Sequence, residues 1–170
     1  MQFPLEAALI VLPYGDGAAS AANESHLAEL LVFWAGTRRH AFVVASPTDP
    51  EPEPAGRAPD RGRAAANAHW ASTLTHRIVA SAECVFVASD LDLRLRALNV
   101  RTLVFAAGAI DRNIETNVRV ASSLGYRSCV AVETVQGSPP PAASQLHSYA
   151  EFLAKDELVK NATLAVRRQG

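Results

Sequence analysis

The chain has 170 residues, of which 49% are apolar and 19% charged, with a formal net charge of -1. This predicts one domain over residues 1–170 that buries a core without metal or disulfide staples. The basic residues are nearly all arginine and are scattered, which argues against a nucleic-acid partner. No apolar run approaches the roughly twenty residues that span a bilayer, and no basic leader precedes the first one, so we expect a cytoplasmic protein without a membrane partner.

Apolar runs of strand length recur along the chain, with helical patterns between them. The runs are continuous rather than alternating, which is typical of strands covered on both faces. The alternation predicts an α/β fold, a three-layer α/β/α sandwich with a Rossmann-like, six-stranded, mainly parallel sheet. The predicted strands are Ala7–Leu12, His40–Ser46, Arg77–Ser81, Arg101–Ala107, Arg127–Glu133 and Asn161–Val166.

Four apolar stripes at helical spacing predict the covering helices. Ser89 is the expected N-cap of the second helix, with Asp92 in a capping-box position, and Gly125 is the expected left-handed end of the third. The stripes are Leu27, Leu30, Leu31 and Trp34; Leu91, Leu95 and Leu98; Ile114, Val118, Ala121 and Leu124; and Leu146, Tyr149, Ala150 and Leu153.

Two proline clusters interrupt this alternation of predicted strands and helices. Residues 46–69 carry five prolines, at positions 47, 50, 52, 54 and 59. Because proline lacks a backbone donor and disfavours helix in the residue before it, this segment predicts an irregular surface loop rather than a strand. A second cluster, GSPPPAAS, covers residues 137–144 and separates the fifth predicted strand from the fourth helix.

The residues that commonly carry metal or thiol chemistry are few. Cys129 lies in a strand-like run and is expected to be a small buried hydrophobe. Cys84 fits a loop or half-buried position as well as a buried one, which leaves a reactive thiol open as an alternative. We expect no metal, because two cysteines are too few for a zinc site and the histidines show no paired ligand spacing. We also expect no cofactor. Trp34 is expected in the core and Trp70 in a pocket wall or interface. The histidines are His26, His40, His69, His76 and His147.

Residues that follow strand ends should line the ligand crevice of a parallel sheet. Here they are Pro13, Tyr14 and Asp16 after the first strand, residues 80–83 after the third and residues 108–113 after the fourth. In order and spacing, the chain resembles the isochorismatase-like cysteine hydrolases, which include nicotinamidases and carbamoylsarcosine amidases. The segments that carry the resemblance are AALIVLPYGDG, THRIVASAECVFVASDLDLRLRALNVRTLVFAAG, NIETNVRVASSLGY and the final NATLAV.

The resemblance implies a catalytic aspartate, lysine and cysteine, and the matching positions hold none of them. The cysteine would be the nucleophile at a helix N-terminus, the aspartate the general base, and the lysine a polarising group. Pro13 stands at the aspartate position and Ala80 at the lysine position. Asn113 stands at the cysteine position, or Ile114 if the turn is not one residue shorter than the family's. We therefore expect a catalytically inactive member of the family with a binding or assembly role.

Two other readings of the same residues stay open. A hydrolase with a relocated site could use Asp16, Asp111, Glu115 or Cys84, although Asp111 is also a good N-cap and Glu115 also suits the first helical turn. A small-molecule sensor could keep the crevice, where the helix N-terminus would bind an anion or a carbonyl group. The expected pocket residues are Tyr14, Asp16, Trp70, Asp111, Arg112, Asn113 and Glu115. The expected partners are a second copy, in a dimer or tetramer, or an active relative in a mixed assembly.

Overall fold

The computed structural model describes residues 6–13, 19–37, 39–45, 75–80, 83–137 and 144–167. Several sequence predictions fall outside these ranges, among them Tyr14, Asp16, Trp70 and the proline-rich loop at 46–69. The side chain of Asp111 also lies outside the described part of the chain.

The described strands form a six-stranded sheet in the order β3-β2-β1-β4-β5-β6, and each adjacent pair is parallel. This confirms the predicted α/β fold and its strand number. The order is that of a doubly wound sheet, in which the chain leaves β1 towards one edge and β4 towards the other. The strands are β1 Ala7–Leu12, β2 Ala41–Ala45, β3 Thr75–Val79, β4 Thr102–Ala107, β5 Arg127–Ala131 and β6 Ala150–Leu153.

Helices cover both faces of the sheet, as the three predicted layers require. The described α-helices are α1 Ala21–Gly36, α2 Leu91–Ala97, α3 Glu115–Ser123 and α4 Lys155–Arg167. Leu30 and Trp34 of α1 and Leu158 of α4 pack on one face of the sheet. Leu91 and Leu95 of α2, together with the α3 stripe, pack on the other face. β1 and β4 lie between the two apolar layers and are fully buried, which explains the continuous apolar runs at residues 7–12 and 103–107.

Two predictions near the C-terminus are wrong. The apolar stripe from Leu146 to Leu153 is not a helix but a 3-10 turn, Gln145–Ser148, followed by strand β6. The run Asn161–Val166 is not a strand and lies within α4. Short apolar runs fit a helix or a strand equally well. Here Ala150–Leu153 forms a strand because it pairs in register with Ser128–Ala131. In α4, Glu157 supports the helix start by accepting from the Ala154 N–H at 3.2 Å.

Smaller differences concern element ends. β3 begins at Thr75, two residues before its predicted start. Asp90 rather than Ser89 occupies the N-cap position of α2, although the Ser89 hydroxyl still accepts from the Leu91 N–H at 3.3 Å. Gly125 has φ +89°, as predicted for a left-handed helix end. None of the described helices is long and apolar enough to cross a membrane.

Candidate functional site

The candidate site lies where the chain changes direction across the sheet. β1 and β4 are neighbours, but β1 continues to β2 on one side and β4 to β5 on the other. In such sheets the carboxyl ends of the two central strands flank the ligand crevice. Pro13 follows β1 and Gly108 follows β4, because Leu12 and Ala107 are the last paired residues of the two strands.

The turn after β4 has an unusual backbone. Ala107 has φ +58° and Gly108 φ +80°, so two successive residues occupy the left-handed region. A π-helical turn, Ile110–Ile114, follows before α3 begins. Single π-turns inside helices occur frequently at functional sites. The Thr134 hydroxyl, in the 3-10 turn Val132–Thr134 after β5, supports the start of the turn, since it accepts from the Ala107 N–H at 3.1 Å.

Asn113 closes the gap between the two strand ends with its side chain. Only 6% of the residue is exposed. Its Oδ1 accepts from the Ala109 N–H at 2.8 Å, and its Nδ2 donates to the Pro13 carbonyl oxygen at 2.8 Å. One amide side chain therefore bridges the end of β1 and the turn after β4. We call this bridge, made of Asn113, Pro13 and Ala109, the asparagine clamp.

Asn117, one helical turn further on, extends the clamp to the loop after β3. It is completely buried. Its Oδ1 accepts from the Val85 N–H at 2.9 Å, while its Nδ2 donates to the Glu83 carbonyl at 3.1 Å and the Asn113 carbonyl at 2.7 Å. The two asparagines thus join the segments that follow β1, β3 and β4. Asn117 was not among the site residues predicted from the sequence, although its spacing of four from Asn113 places both on one helix face.

Backbone amides of the turn are largely engaged by the protein itself. The Ala109 N–H is bonded within the clamp, and the Ile110 N–H donates to the Gln136 carbonyl at 3.0 Å. Arg112 and Ile114 both donate to the Ala109 carbonyl, at 3.3 and 3.1 Å. An anion or carbonyl ligand that approached these four N–H groups would have to displace their present acceptors.

The remaining predicted site residues have other surroundings. Ala80 is buried, and its N–H donates to the Ala45 carbonyl at 3.1 Å, which extends the β2–β3 ladder. The Glu115 carboxylate pairs with Arg119 one turn along α3, at 2.8 Å. Arg112 is exposed. Of these three, only Ala80 ends a strand at the crevice edge, and its side chain has no polar group.

Both cysteines are free and buried in the described structure. Cys129 lies in β5, and burial raises its pKa to about 12, with a further contribution from the nearby Glu151 carboxylate. It therefore stays protonated at neutral pH, as expected for a structural cysteine. Cys84 is 7% exposed, which leaves little of it accessible to a substrate. Among the described residues, no group of three or more His, Cys, Asp or Glu side chains could hold a metal ion.

The clamp leads to a pH-dependent prediction for Asn113→Asp. The carboxylate would still accept from Ala109, but its second oxygen would face the Pro13 carbonyl without a hydrogen between them. We expect a loss of about 2–4 kcal/mol in the free energy of unfolding at pH 7.5. Because burial raises the folded-state pKa of the new carboxyl group above its unfolded value, the loss should shrink as the pH falls towards 4.5.

Urea denaturation of wild type and variant at the two pH values measures this effect. Asn99→Asp is the matched control, because Asn99 is exposed and its substitution should give the same small difference at both pH values. A destabilisation by Asn113→Asp that does not change with pH would contradict the clamp geometry.

Comparison with solved structures identifies the fold. An isochorismatase family protein from Burkholderia thailandensis is 15% identical, with a TM-score of 0.74, over 95% of this chain and 98% of that chain. N-carbamoylsarcosine amidase from Thermoplasma acidophilum is 19% identical, with a TM-score of 0.63, over 88% and 96% of the two chains. A nicotinamidase from Staphylococcus aureus is 20% identical, with a TM-score of 0.61, over 77% and 84%.

These likenesses extend over most of each chain at low sequence identity. No protein-family model matches the sequence, and no curated protein matches it. The chain therefore has the isochorismatase-like hydrolase fold, as the order of its motifs predicted. A fold of this kind does not by itself determine an activity, which depends on the side chains at the site.

Proposed function

We propose that this chain is a catalytically inactive member of the isochorismatase-like family, with a role in binding or assembly in the cytoplasm. The premise is its fold, shared with an isochorismatase family protein, an amidase and a nicotinamidase. Three side chains at strand ends argue for the inactive state. They lack the groups that hydrolysis by a cysteine nucleophile requires.

The observation that carries the proposal is the asparagine clamp. The resemblance places the nucleophilic cysteine at Asn113, where the structure has a neutral amide that is 6% exposed and bonded on both sides. An amide is not a nucleophile, and this one links two strand ends. A side chain with this structural role has replaced the one that would attack a substrate.

The two other positions support the same conclusion. Pro13 has no titratable group and supplies its carbonyl oxygen to the clamp. Ala80 is buried and carries only a methyl group where the resemblance places a lysine. In a catalytic unit, loss of one key member already lowers the rate by on the order of a million-fold. Loss of all three roles removes the nucleophile, the general base and the polarising cation together.

We expect no hydrolysis of nicotinamide, N-carbamoyl compounds or isochorismate above the rate in buffer. The measurement is product formation by purified protein, with the Staphylococcus aureus nicotinamidase as the positive control for nicotinamide. Asn113→Ala should leave the wild-type background unchanged, because Asn113 has no chemical role. Robust turnover that disappears in Asn113→Ala or Asp16→Ala would overturn the proposal and favour a relocated site.

Between binding roles, the engaged amides of the turn favour assembly over small-molecule sensing. Ala109 and Ile110 donate their N–H groups within the protein, so a ligand at this helix start would compete with them. The expected assembly is a homodimer, a homotetramer or a mixed assembly with an active relative. Native mass spectrometry of the protein purified from its source distinguishes these, and a monomer without any partner would contradict an assembly role.

A further inference from the structure

A pair of histidines joins the edge strand β3 to its neighbour at the amino end of the sheet. His40 lies directly before β2, and His76 is the second residue of β3. The His40 Nδ1 and His76 Nε2 atoms are 2.9 Å apart, which is a hydrogen-bond distance. Both rings are half-buried. The candidate site at the carboxyl end of the sheet does not use them.

The packing holds the two rings in this arrangement. His76 pairs with Phe42 across the β2–β3 ladder, and their rings stack with centroids 4.8 Å apart. The His40 ring also contacts His76, with centroids 5.2 Å apart. The backbone of His40 is also fixed, because its carbonyl accepts from Leu9 N–H and Trp34 Nε1–H, each at 3.0 Å. Neither ring can turn away without loss of these contacts.

The hydrogen bond between the rings exists only while one of the facing nitrogens lacks a proton. A neutral imidazole has one N–H donor and one acceptor nitrogen, whereas a protonated imidazole has two donors. With one added proton the pair can still form an N–H···N bond. With two added protons, two N–H groups face each other and two positive charges lie side by side. Acid therefore converts this contact from attraction to repulsion.

The groups that the structure describes around the two rings do not offset that repulsion. On the α2 side of the sheet, the Arg94 guanidinium lowers the pKa of His76 by charge repulsion. This guanidinium is itself paired with the Asp90 carboxylate at 2.8 Å. The next residue on the same face of β3 is Ile78, and Ala8 of β1 faces the pair from the other side of β2. Among the described residues, no carboxylate contributes to the electrostatics of either ring.

Both imidazoles have a lowered pKa in the folded protein. Burial is the main cause for each, and the charges of His40 and Arg94 lower the pKa of His76 further. The unfolded chain therefore binds protons more readily than the folded one. The stability contributed by the pair is present above the ordinary histidine pKa and is lost as the pH falls through and below it.

We propose that the His40–His76 pair fastens the edge strand β3 at neutral pH and releases it when both rings are protonated. The bond matters at this place because β3 is the last strand of the sheet and pairs only with β2 among the described strands. β3 leads to Ala80, whose N–H closes the ladder at the crevice edge. Release of β3 would therefore loosen one wall of the candidate site. This inference is independent of whether the protein is catalytically inactive.

Amide hydrogen exchange of the full chain at pH 7 and pH 5, corrected for intrinsic exchange, tests the proposal. Protection of the β3 amides should fall by about fivefold or more at pH 5, as expected for the loss of one hydrogen bond. His76→Phe keeps a ring on Phe42 but cannot titrate, so its β3 protection should change less than twofold. His147→Phe is the matched control, because His147 lies outside the pair and this variant should behave as wild type.

A second readout does not depend on any variant. The imidazole signals of His40 and His76 in the wild-type NMR spectrum should change together as the pH falls. The proton that makes both rings cationic should bind with a pKa below the ordinary histidine value. Two independent titrations at the ordinary value would overturn the proposal. So would β3 protection that is the same at both pH values, or that falls equally in wild type and His76→Phe.

Discussion

Gly108→Ala is expected to lower the free energy of unfolding by about 3–5 kcal/mol. A methyl group on Gly108 would lie 2.6 Å from the Asn113 Oδ1 atom and 3.2 Å from the Leu12 Cβ atom. The first distance is far inside van der Waals contact, so Asn113 must leave its position. Its displacement breaks the buried bond to the Ala109 N–H and the part-buried bond to the Pro13 carbonyl. The left-handed backbone at Gly108, with φ +80°, adds strain of its own.

Gly125→Ala is the matched control for this substitution. Gly125 has φ +89°, but an added methyl group there meets nothing within 4 Å. It should therefore cost only the conformational term, about 1 kcal/mol. The excess cost at Gly108 should largely disappear in an Asn113→Ala background, where the clash and the clamp are both absent. Urea denaturation of Gly108→Ala, Gly125→Ala, Asn113→Ala and the double variant of Gly108 and Asn113 measures these effects. Equal losses of stability at the two glycines would refute the close approach of Asn113 to Gly108.

The second large effect is expected for Asn117→Ala, with a loss of about 3 kcal/mol. The substitution removes three hydrogen bonds, of which those to the Val85 N–H and the Asn113 carbonyl are buried and the one to the Glu83 carbonyl is part-buried. The loop after β3 should then separate from α3 before the rest of the protein unfolds. Hydrogen exchange at the Val85 amide, which should accelerate more than the amides of β4, reports this local opening.

Thr116→Ala provides the control for Asn117, because Thr116 lies on the same helix, is exposed and makes one hydrogen bond to the Arg112 carbonyl. Its loss should stay within about 0.5 kcal/mol. Asn117→Asp distinguishes the contributions of the three bonds. It keeps the oxygen that accepts from the Val85 N–H but removes the two N–H donors. A cost for Asn117→Ala no larger than that of Thr116→Ala would contradict the buried network.

Much of the central sheet could be predicted from the sequence because the signal there is strong. The first strand is a continuous apolar run of six residues, the fourth has five apolar residues after Thr102, and both strands are buried on two faces, as such runs require. The stripe Ile114, Val118 and Ala121 likewise predicted the buried face of α3. Near the C-terminus, the apolar runs around Ala150 and Leu164 fit both the helical and the strand pattern. Pairing with β5 made the run around Ala150 the strand.

At the candidate site, the sequence indicated the place but not the contacts. Asn113 was predicted from its position in the turn after β4, whereas its bond to Pro13 joins residues one hundred positions apart. No local pattern encodes such a bond. The same holds for Asn117 and the loop after β3, and for the contact between His40 and His76, which depends on the register of two parallel strands.

The sequence by itself therefore determined the layers, the central strands and the chemical identity of the three strand-end positions, because hydrophobic periodicity and residue type are local properties. The tertiary structure alone decided that Asn113 spans the crevice, that Asn117 is completely buried, and that two half-buried imidazoles share a hydrogen bond. Those outcomes depend on which backbone groups parallel strands bring within 3 Å of each other, and strand order and register arise only from packing of the whole chain.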